Sequence, residues 1–217
     1  MEINILIVDD HKIMREGLRN LLADKANIKV VGEAENGREA LALTKKLKPD
    51  IIIMDVAMPG LNGMEATKMI LNEYHEARII ALSMHSGKQF VTGMFRSGAS
   101  GYLLKDCAFD ELMDAIKAVH SKHTYLSREI SDVLVREFVS NMDGTSANTG
   151  EVLSTREKEV LQLISEGNST KIIAEKLFIS VKTVETHRQK IMQKLNIFTI
   201  SELTKYAIRM GFTSLDN

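Results

Sequence analysis

Hydrophobic runs and segments of helical spacing alternate along the first 120 residues. Short apolar runs rich in β-branched residues occur at 3–8, 28–31, 50–54, 78–82 and about 100–104. Segments with apolar residues every three or four positions lie between them, at about 12–23, 37–47, 64–74, 87–97 and 109–120. Runs that are apolar throughout fit strands that are buried on both faces. The alternation therefore predicts an α/β domain over 1–121 with a five-stranded, doubly wound parallel sheet.

The pattern changes after residue 121. Ser127 can cap a short helix, whose apolar stripe would consist of Ile130, Val133, Leu134 and Phe138. Residues 141–150 are rich in glycine, serine and asparagine, which indicates a flexible segment. We therefore predict a linker over 122–150 that contains one short helix and separates two domains.

Residues 153–212 show helical periodicity alone. Ser154 and Glu157 have the spacing of a capping box, which opens a first helix. A second helix begins near Ser169, a third follows Ser180 over about 181–195, and a fourth covers about 200–210. This pattern predicts a small all-α domain of four helices over 151–217, with a helix-turn-helix at its centre.

Composition adds only a few limits. The chain is 44% apolar and 26% charged, as globular proteins are, and its net charge of −1 gives no general affinity for nucleic acid. Residues 1–120 hold 15 basic and 17 acidic residues, whereas 151–217 hold 10 basic and 8 acidic residues. The only cysteine, Cys107, is interpreted as a reduced thiol. No signal peptide or apolar run long enough to span a bilayer is visible, so we expect a cytoplasmic protein without membrane contact.

Polar and charged side chains stand at the ends of four predicted strands. Asp9 and Asp10 follow the first run, Asp55 ends the third, Ser83 follows the fourth and Lys105 follows the fifth. Parallel strands bring their carboxyl ends to one edge of the sheet, where ligands bind in this architecture. Carboxylates that are crowded there repel one another, and a cation relieves the repulsion. The arrangement predicts a Mg²⁺ site beside a carboxylate that can be phosphorylated.

Each group at this edge has a predicted role. Asp10 and Asp55 would bind Mg²⁺ directly together with the Ala57 carbonyl, and Asp9 would act through water. Asp55 would attack phosphorus to form an acyl phosphate, and Lys105 would pair with the phosphoryl oxygens. Taken singly, each residue also has a simpler interpretation, such as a helix cap for an aspartate or a solvated charge for the lysine. The prediction therefore depends on their joint occurrence.

Residues 1–120 resemble a two-component receiver domain, which has a flavodoxin-like fold. The resemblance rests on four stretches, 7–11, 54–63, 82–83 and 101–105. It implies that Asp55 is the phospho-acceptor, that Asp9 and Asp10 are metal ligands, that Ser83 and Tyr102 are the switch pair and that Lys105 is the phosphate partner. Ser83 would donate its hydroxyl to the phosphoryl group. This chain departs from many receivers by having Asp106 in place of proline and Met84 in place of a smaller residue.

The third helix of the second domain has two different faces. Its apolar face consists of Val181, Val184, Ile191 and Leu195, and its polar face carries Lys182, Glu185, Thr186, Gln189 and Gln193. A helix of this kind can enter the major groove and read base edges. We predict DNA contacts, to bases or to phosphates, by Lys171, Lys182, Thr183, Glu185, Thr186, His187, Gln189, Lys190 and Lys194. Periodicity alone leaves open a helical interaction module with a solvated face.

Residues 153–212 resemble the LuxR-type helix-turn-helix, most clearly at 153–157, 171–174, 177–180 and 183–187, although Thr170 stands where asparagine is common. Together with the receiver-like part, the chain resembles the NarL/FixJ class of response regulators. The resemblance implies phosphorylation by a histidine kinase, binding to a double-stranded DNA operator, and a homodimer in the phosphorylated state. In that class the last helix often dimerises, and the seam here would consist of Leu203, Ala207 and Met210.

Three other functions are compatible with the same residues. A Mg²⁺ phosphohydrolase also uses an aspartyl phosphate, but such enzymes usually place a second aspartate two residues further on, where this chain has Ala57. A DNA-binding protein that ignores phosphorylation and an interaction module without DNA binding are the other two. We expect a regulator rather than an enzyme, with slow autodephosphorylation at most.

Overall fold

The computed structural model describes residues 2–132, 135 and 153–213. The chain divides by its internal contacts into two compact units, Met1–Thr145 and Ser146–Asn217. Among the described residues, no helix combines the length and the apolar character that a membrane span requires.

The first unit alternates strands and helices. Its elements are β1 (Ile3–Val8), α1 (Lys12–Ala23), β2 (Ile28–Ala34), α2 (Gly37–Leu47), β3 (Ile51–Asp55), α3 (Gly63–Glu73), β4 (Arg78–Ser83), α4 (Lys88–Arg96), β5 (Gly101–Leu104), α5 (Phe109–His120) and β6 (Tyr125–Leu126). The first ten agree with the elements that the sequence predicts. Residues 128–132 form a further helical stretch, α6.

The strands form one parallel sheet in the order β2-β1-β3-β4-β5-β6. The sheet therefore has six strands and not the five that were predicted. The additional strand pairs Tyr125 with Gly101 and Leu126 with Tyr102. Its two residues are too short to produce a periodic signal, and for this reason the pattern of apolar runs did not reveal it.

The central strands are apolar over most of their length because both faces of the sheet are covered. Leu6 and Ile52 belong to a core cluster on one face, whereas Ile5, Ile7 and Ile53 belong to a cluster on the other. Side chains alternate between the faces along each strand, so the inner positions 5–8 of β1 and 51–54 of β3 all have an apolar environment. This burial on both faces leaves the strand ends as the places where polar residues can stand.

The segment after β6 is attached to the first core. Ile130 is fully buried within it, and the Ser127 hydroxyl accepts a hydrogen bond from the Ile130 backbone N–H over 3.4 Å. This agrees with the predicted cap and with the predicted apolar position at 130. The other residues of the predicted stripe, Val133, Leu134 and Phe138, lie outside the described residues.

The second unit is helical in its described part. Its helices are α7 (Thr155–Ser165), α8 (Thr170–Leu177), α9 (Val181–Leu195) and α10 (Ile200–Arg209). The capping box of Ser154 and Glu157 is present, and Ser169 and Ser180 cap α8 and α9 through their hydroxyls. The helices pack around one core that includes Leu161, Ile173, Val184, Ile191 and Leu203.

Candidate functional site

Four strands bring polar groups to the carboxyl edge of the sheet. Asp9 and Asp10 follow β1, Asp55 is the last residue of β3, Ser83 ends β4, and Lys105 follows β5. Asp9, Asp55 and Ser83 are at most 3% exposed. The structure thus brings together the groups that the sequence predicts at this edge. We refer to this group of side chains as the acidic edge.

Lys105 joins the two buried carboxylates of the acidic edge. Its Nζ lies 2.7 Å from Asp9 Oδ2 and 2.7 Å from Asp55 Oδ2, and its side chain is only 5% exposed. A buried ammonium between two buried carboxylates is held by each of them, since removal of a partner leaves an uncompensated charge. The acidic edge is therefore preorganised by its own charges.

Burial and charge shift the proton affinities of these groups. Burial and the neighbouring Asp9 charge raise the pKa of Asp55 to about 6, although Lys105 and the Ala57 backbone N–H act in the opposite direction. Burial lowers the pKa of Lys105, but attraction to Asp55 and Asp9 outweighs it, and the pKa is raised overall. Asp55 is thus an unusually basic carboxylate, and the lysine beside it stays charged.

The acidic edge can hold a divalent cation. One ligand atom from each of Asp9, Asp10, His11 and Asp55 can be chosen so that all lie within 4.8 Å of one another. Asp10 Oδ1 is buried and accepts no hydrogen bond, although His11 Nδ1 lies 2.9 Å away. A buried carboxylate oxygen without a hydrogen bond is unfavourable unless another group compensates it. The donor set is therefore compatible with a divalent metal ion, while sequence reasoning did not include His11 among the ligands.

A second residue that the sequence analysis missed supports the loop after β1. Arg15 in α1 is 5% exposed. Its Nη1 donates to the Asp9 carbonyl over 2.8 Å, and its Nη2 donates to Glu35 over 2.6 Å. Arg15 shares its face of α1 with the buried Leu18 and Leu22, and a charged residue in an apolar stripe was the available signal. The arginine fixes the backbone that positions the Asp9 carboxylate.

The predicted switch residues are connected through the backbone of His85. Tyr102 is fully buried, and its hydroxyl donates to the His85 carbonyl over 2.6 Å. The His85 N–H donates to the Ser83 hydroxyl over 3.1 Å. Burial raises the pKa of Tyr102, which therefore stays a neutral donor. The His85 ring stacks on Phe90 of α4 with centroids 4.3 Å apart, so this connection extends from the acidic edge to α4.

The outer face of α9 is exposed, as predicted. The side chains of Lys182, Glu185, Thr186, Gln189 and Lys190 are exposed, as is that of Lys171 on α8. Thr183 and His187 are partly buried. We call this surface the α9 face. Its exposed charges and amides leave it able to contact another macromolecule.

Some groups of the α9 face already have internal partners. The Thr186 hydroxyl donates to the Lys182 carbonyl over 2.9 Å, and the Thr183 hydroxyl lies 2.8 Å from that of Ser180. Val181, which the periodicity assigned to the apolar face, is 43% exposed. It is the first residue of α9, where no preceding turn of the helix continues the apolar stripe.

Lys194 does not belong to the α9 face. Its Nζ lies 2.6 Å from Glu157 Oε2, and the Glu157 side chain is 4% exposed. Burial alone would raise the pKa of Glu157, but hydrogen bonds from Lys194 and Ser154 outweigh it and lower the pKa. The lysine thus compensates a buried carboxylate of the capping box. Its contact with DNA phosphates stays a prediction, and in the DNA-free chain the ammonium is held by Glu157.

Two of the three residues of the predicted dimer seam lie in the interior of the second unit. Leu203 and Ala207 are fully buried in the core of the second unit, and only Met210 is exposed, at 40%. Helical spacing identified the apolar stripe of α10, but it does not distinguish a stripe that packs inside the domain from one that meets a partner. Leu203 and Ala207 cannot form a seam while they fill this core.

Comparisons with known proteins cover both units. Residues 5–117 match the response regulator receiver domain, and residues 151–207 match the luxR family of bacterial regulatory proteins. The oxygen regulatory protein NreC of Staphylococcus aureus is 40% identical over 94% of this chain and 96% of its own length. The transcriptional regulatory protein DegU of Brevibacillus brevis is 35% identical over 99% of this chain and 96% of its own.

A solved structure extends the similarity to a DNA complex. RcsB from Salmonella enterica serovar Typhimurium, bound to promoter rprA in the presence of phosphomimetic BeF3-, has a TM-score of 0.62 and 27% identity. The match covers 95% of this chain and 98% of that one. These relatives are regulators rather than typical enzymes, which sets the phosphohydrolase alternative aside. As the motifs indicated, the chain belongs to the two-component response regulators that join a receiver domain to a LuxR-type DNA-binding domain and regulate transcription.

Proposed function

We propose that Asp55 is the phospho-acceptor of this regulator and that a partner histidine kinase phosphorylates it to control DNA binding by a homodimer. The observation that carries this proposal is the position of the Asp55 carboxylate, buried at the acidic edge and 2.7 Å from the Lys105 ammonium. The ordinary role of an aspartate at a helix start does not explain this burial. A role as a reacting carboxylate, with its charge balanced by the neighbouring Lys105, does explain it.

The carboxylate acts as the nucleophile. An Asp55 oxygen attacks phosphorus of a phosphohistidine, the new O–P bond forms, and the P–N bond of the donor breaks with its electron pair returning to the imidazole. The pKa of about 6 keeps Asp55 mostly ionised at neutral pH while making it more basic than an exposed aspartate. Lys105 pairs with the oxygens of the transferred group as it now pairs with Asp55.

Mg²⁺ is the cofactor proposed for the acidic edge. Asp9, Asp10, Asp55 and the Ala57 carbonyl would hold it, and the clustering of ligand atoms from the three carboxylates within 4.8 Å of one another supports this assignment. When bound, the ion neutralises charge on the phosphoryl oxygens during transfer. The Ala57 backbone N–H donates to Asp55 Oδ1 over 3.2 Å, which orients the acceptor carboxylate beside these ligands.

Ser83 and Tyr102 would transmit the effect of Asp55 phosphorylation to the neighbouring helix α4. A phosphoryl group on Asp55 adds roughly −1.5 to −2 charge at neutral pH, and the Ser83 hydroxyl would turn towards it as a donor. Because the His85 N–H now donates to that hydroxyl, movement of Ser83 would act on the same backbone that holds Tyr102. The stacked Phe90 would carry the displacement into α4.

One new hydrogen bond to the phosphoryl group is too weak to move the protein from its inactive to its active conformation. A shift from 1:99 to 99:1 requires about 5.5 kcal/mol, whereas a hydrogen bond to a charged group contributes about 1.5–3 kcal/mol. The remainder would come from homodimer contacts and from DNA. A two-fold dimer would fit a pseudo-palindromic operator.

The α9 face would enter the major groove of that operator. Glu185, Thr186 and Gln189 would read base edges, while Lys171, Lys182 and Lys190 would contact phosphates. Thr183 and His187 remain proposed contacts at the margin of this face, since both are partly buried. Lys194 is the least favoured of the predicted contacts, because it would have to leave its ion pair with Glu157 to reach a phosphate.

The test is an Asp55→Asn variant, incubated with acetyl phosphate and Mg²⁺ and analysed by intact mass. The wild type should gain one phosphoryl group and bind operator DNA more tightly, whereas the variant should gain none and show no change in affinity. Asp106→Asn is the matched control, because Asp106 is exposed and follows Lys105 directly. Normal acyl-phosphate formation in Asp55→Asn would refute the assignment.

A further inference from the structure

His11 adds a nitrogen donor to an edge whose other metal-binding atoms are oxygens. Its Nδ1 lies 2.9 Å from Asp10 Oδ1 and 3.2 Å from Asp9 Oδ1. Atoms of these three residues and of Asp55 fit within 4.8 Å of one another. A cation held by the carboxylates would therefore lie within reach of the imidazole.

The position of His11 is fixed by the same carboxylate that it faces. Its backbone N–H donates to Asp9 Oδ1 over 2.8 Å. His11 is also the residue at the N-cap position of α1, but its side chain makes no capping hydrogen bond. The side chain is 66% exposed, so core packing does not hold the ring against the carboxylates. The ring is therefore held at the mouth of the acidic edge by its contacts with the Asp9 and Asp10 carboxylates and not by capping or packing.

Imidazole changes the metal preference of an oxygen site. Mg²⁺ is a hard ion that takes oxygen ligands almost exclusively. Later first-row ions such as Co²⁺ bind nitrogen ligands well, and their affinities increase along the divalent series. A site of three carboxylates would gain little selectivity among these ions from charge alone. A nearby nitrogen would favour the later ions.

We infer that His11 is a fourth side-chain ligand of the metal site and shifts its selectivity from Mg²⁺ towards divalent ions that bind nitrogen, with Co²⁺ as the probe. This inference rests on the proposed function, because it requires a metal ion at the acidic edge. It concerns which ion occupies the site, and not whether Asp55 accepts a phosphoryl group.

The experiment compares the full chain with His11→Ala by visible absorption of bound Co²⁺, followed by displacement with Mg²⁺. The ratio of the Mg²⁺ and Co²⁺ dissociation constants should fall at least about tenfold in the variant, in line with losses seen when groups supporting a metal ligand are removed. The Co²⁺ absorption band should also move to longer wavelength, because oxygen exerts a weaker ligand field than imidazole. His75→Ala, which removes an exposed histidine after α3, should leave ratio and spectrum unchanged.

Each other outcome has a separate meaning. Equal weakening of both ions would overturn the inference by showing that His11 only positions the carboxylates, and so would an unchanged ratio and spectrum. If the wild type bound neither ion, the inference would fail together with the Mg²⁺ assignment. The intact-mass assay of Asp55→Asn decides the phospho-acceptor assignment independently of all these results.

Discussion

The acidic edge and the α9 face use charged residues in opposite ways. At the acidic edge, Asp9, Asp55 and Lys105 are buried and satisfy one another. On the α9 face, residues such as Lys190 and Gln189 are exposed to solvent. The first set is fixed before any ligand arrives, since each charge is held by the others. The second set becomes ordered by whatever it binds, so a substitution there should affect binding much more than folding.

The largest effect should follow from Lys105→Met measured without Mg²⁺. The substitution leaves two buried carboxylates without their shared cation, so the free energy of unfolding of the receiver should fall by about 3–5 kcal/mol at pH 7. Saturating Mg²⁺ should recover most of this loss, because a dication supplies the missing positive charge. Urea unfolding with and without Mg²⁺ measures both quantities.

Lys117→Met provides the control for this experiment. Lys117 forms an exposed pair with Asp114 at 3.4 Å, and such pairs contribute about 0–1 kcal/mol. Its stability should change little and should not depend on Mg²⁺. If Lys105→Met lost the same stability in both conditions, the charges of the acidic edge would not form the interdependent set described here.

A smaller effect, with the opposite sign, is expected for Asp55→Asn. The pKa of Asp55 is about 6 in the folded chain against an ordinary value of 3.8, so the folded state binds more protons between these values. Without metal, wild-type stability should therefore fall as pH rises from about 4 to about 6. Asparagine carries no charge, and Lys105 keeps Asp9 as its partner. The variant should therefore be more stable than the wild type by about 1–3 kcal/mol at pH 7.

The pH dependence separates this explanation from a general packing effect. At pH 4 and below, Asp55 is protonated in the folded state, and the stability difference between the two proteins should nearly vanish. Thermal or urea unfolding from pH 3.5 to 7.5 in the presence of a chelator gives the profile. A gain that is constant over this range would show that burial of the carboxylate charge is not its cause.

The smallest effects should distinguish two lysines of the same helix. Lys194→Met should lower the stability of the DNA-binding domain by about 1–2 kcal/mol, because Glu157 loses its partner while the lysine itself is 41% exposed. Lys190→Met should leave stability unchanged and reduce the slope of log affinity against log salt by about 0.9, the contribution of one phosphate contact. Unfolding curves measure the stability of both variants, and salt titrations with operator DNA measure the slopes.

The assignment of the two lysines would be reversed if the effects of their substitutions were exchanged. If Lys190→Met destabilised the domain and Lys194→Met changed only the salt slope, the buried pair would be unimportant and Lys194 would be the phosphate contact after all. Gln189→Ala, which removes an uncharged side chain from the same face, should alter base preference without changing the slope.

Sequence periodicity was sufficient for the architecture because the strands and helices are long and strongly patterned. It identified ten elements of the receiver, all four helices of the second domain and the serine caps of the first three of those helices. It missed β6, because two residues carry no period. It also placed the acidic edge correctly, since parallel strands must bring their carboxyl ends to one side.

The contacts that individual side chains make were harder to predict than the positions of the helices and strands that carry them. Lys194 lies on a polar helix, and nothing in the local spacing indicates that its ammonium binds Glu157, which is 37 residues earlier in the chain. Leu203 and Ala207 form a regular apolar stripe, yet only the packed domain shows that this stripe faces inward. The buried position of Arg15 could have been predicted, because a charge stands on the apolar face of α1. The contact of the His11 ring with Asp10 is visible only in the folded structure.

The short strand β6 determines where the receiver can be cut to give a stable separate fragment. By pairing with Gly101 and Tyr102, it covers part of an outer strand whose backbone groups would otherwise be open to association with another chain. A fragment that stops at residue 121 would lose this cover and would also lack Ile130, which is fully buried in the core. Such a truncation invites aggregation, so a boundary beyond residue 132 is the safer place to cut.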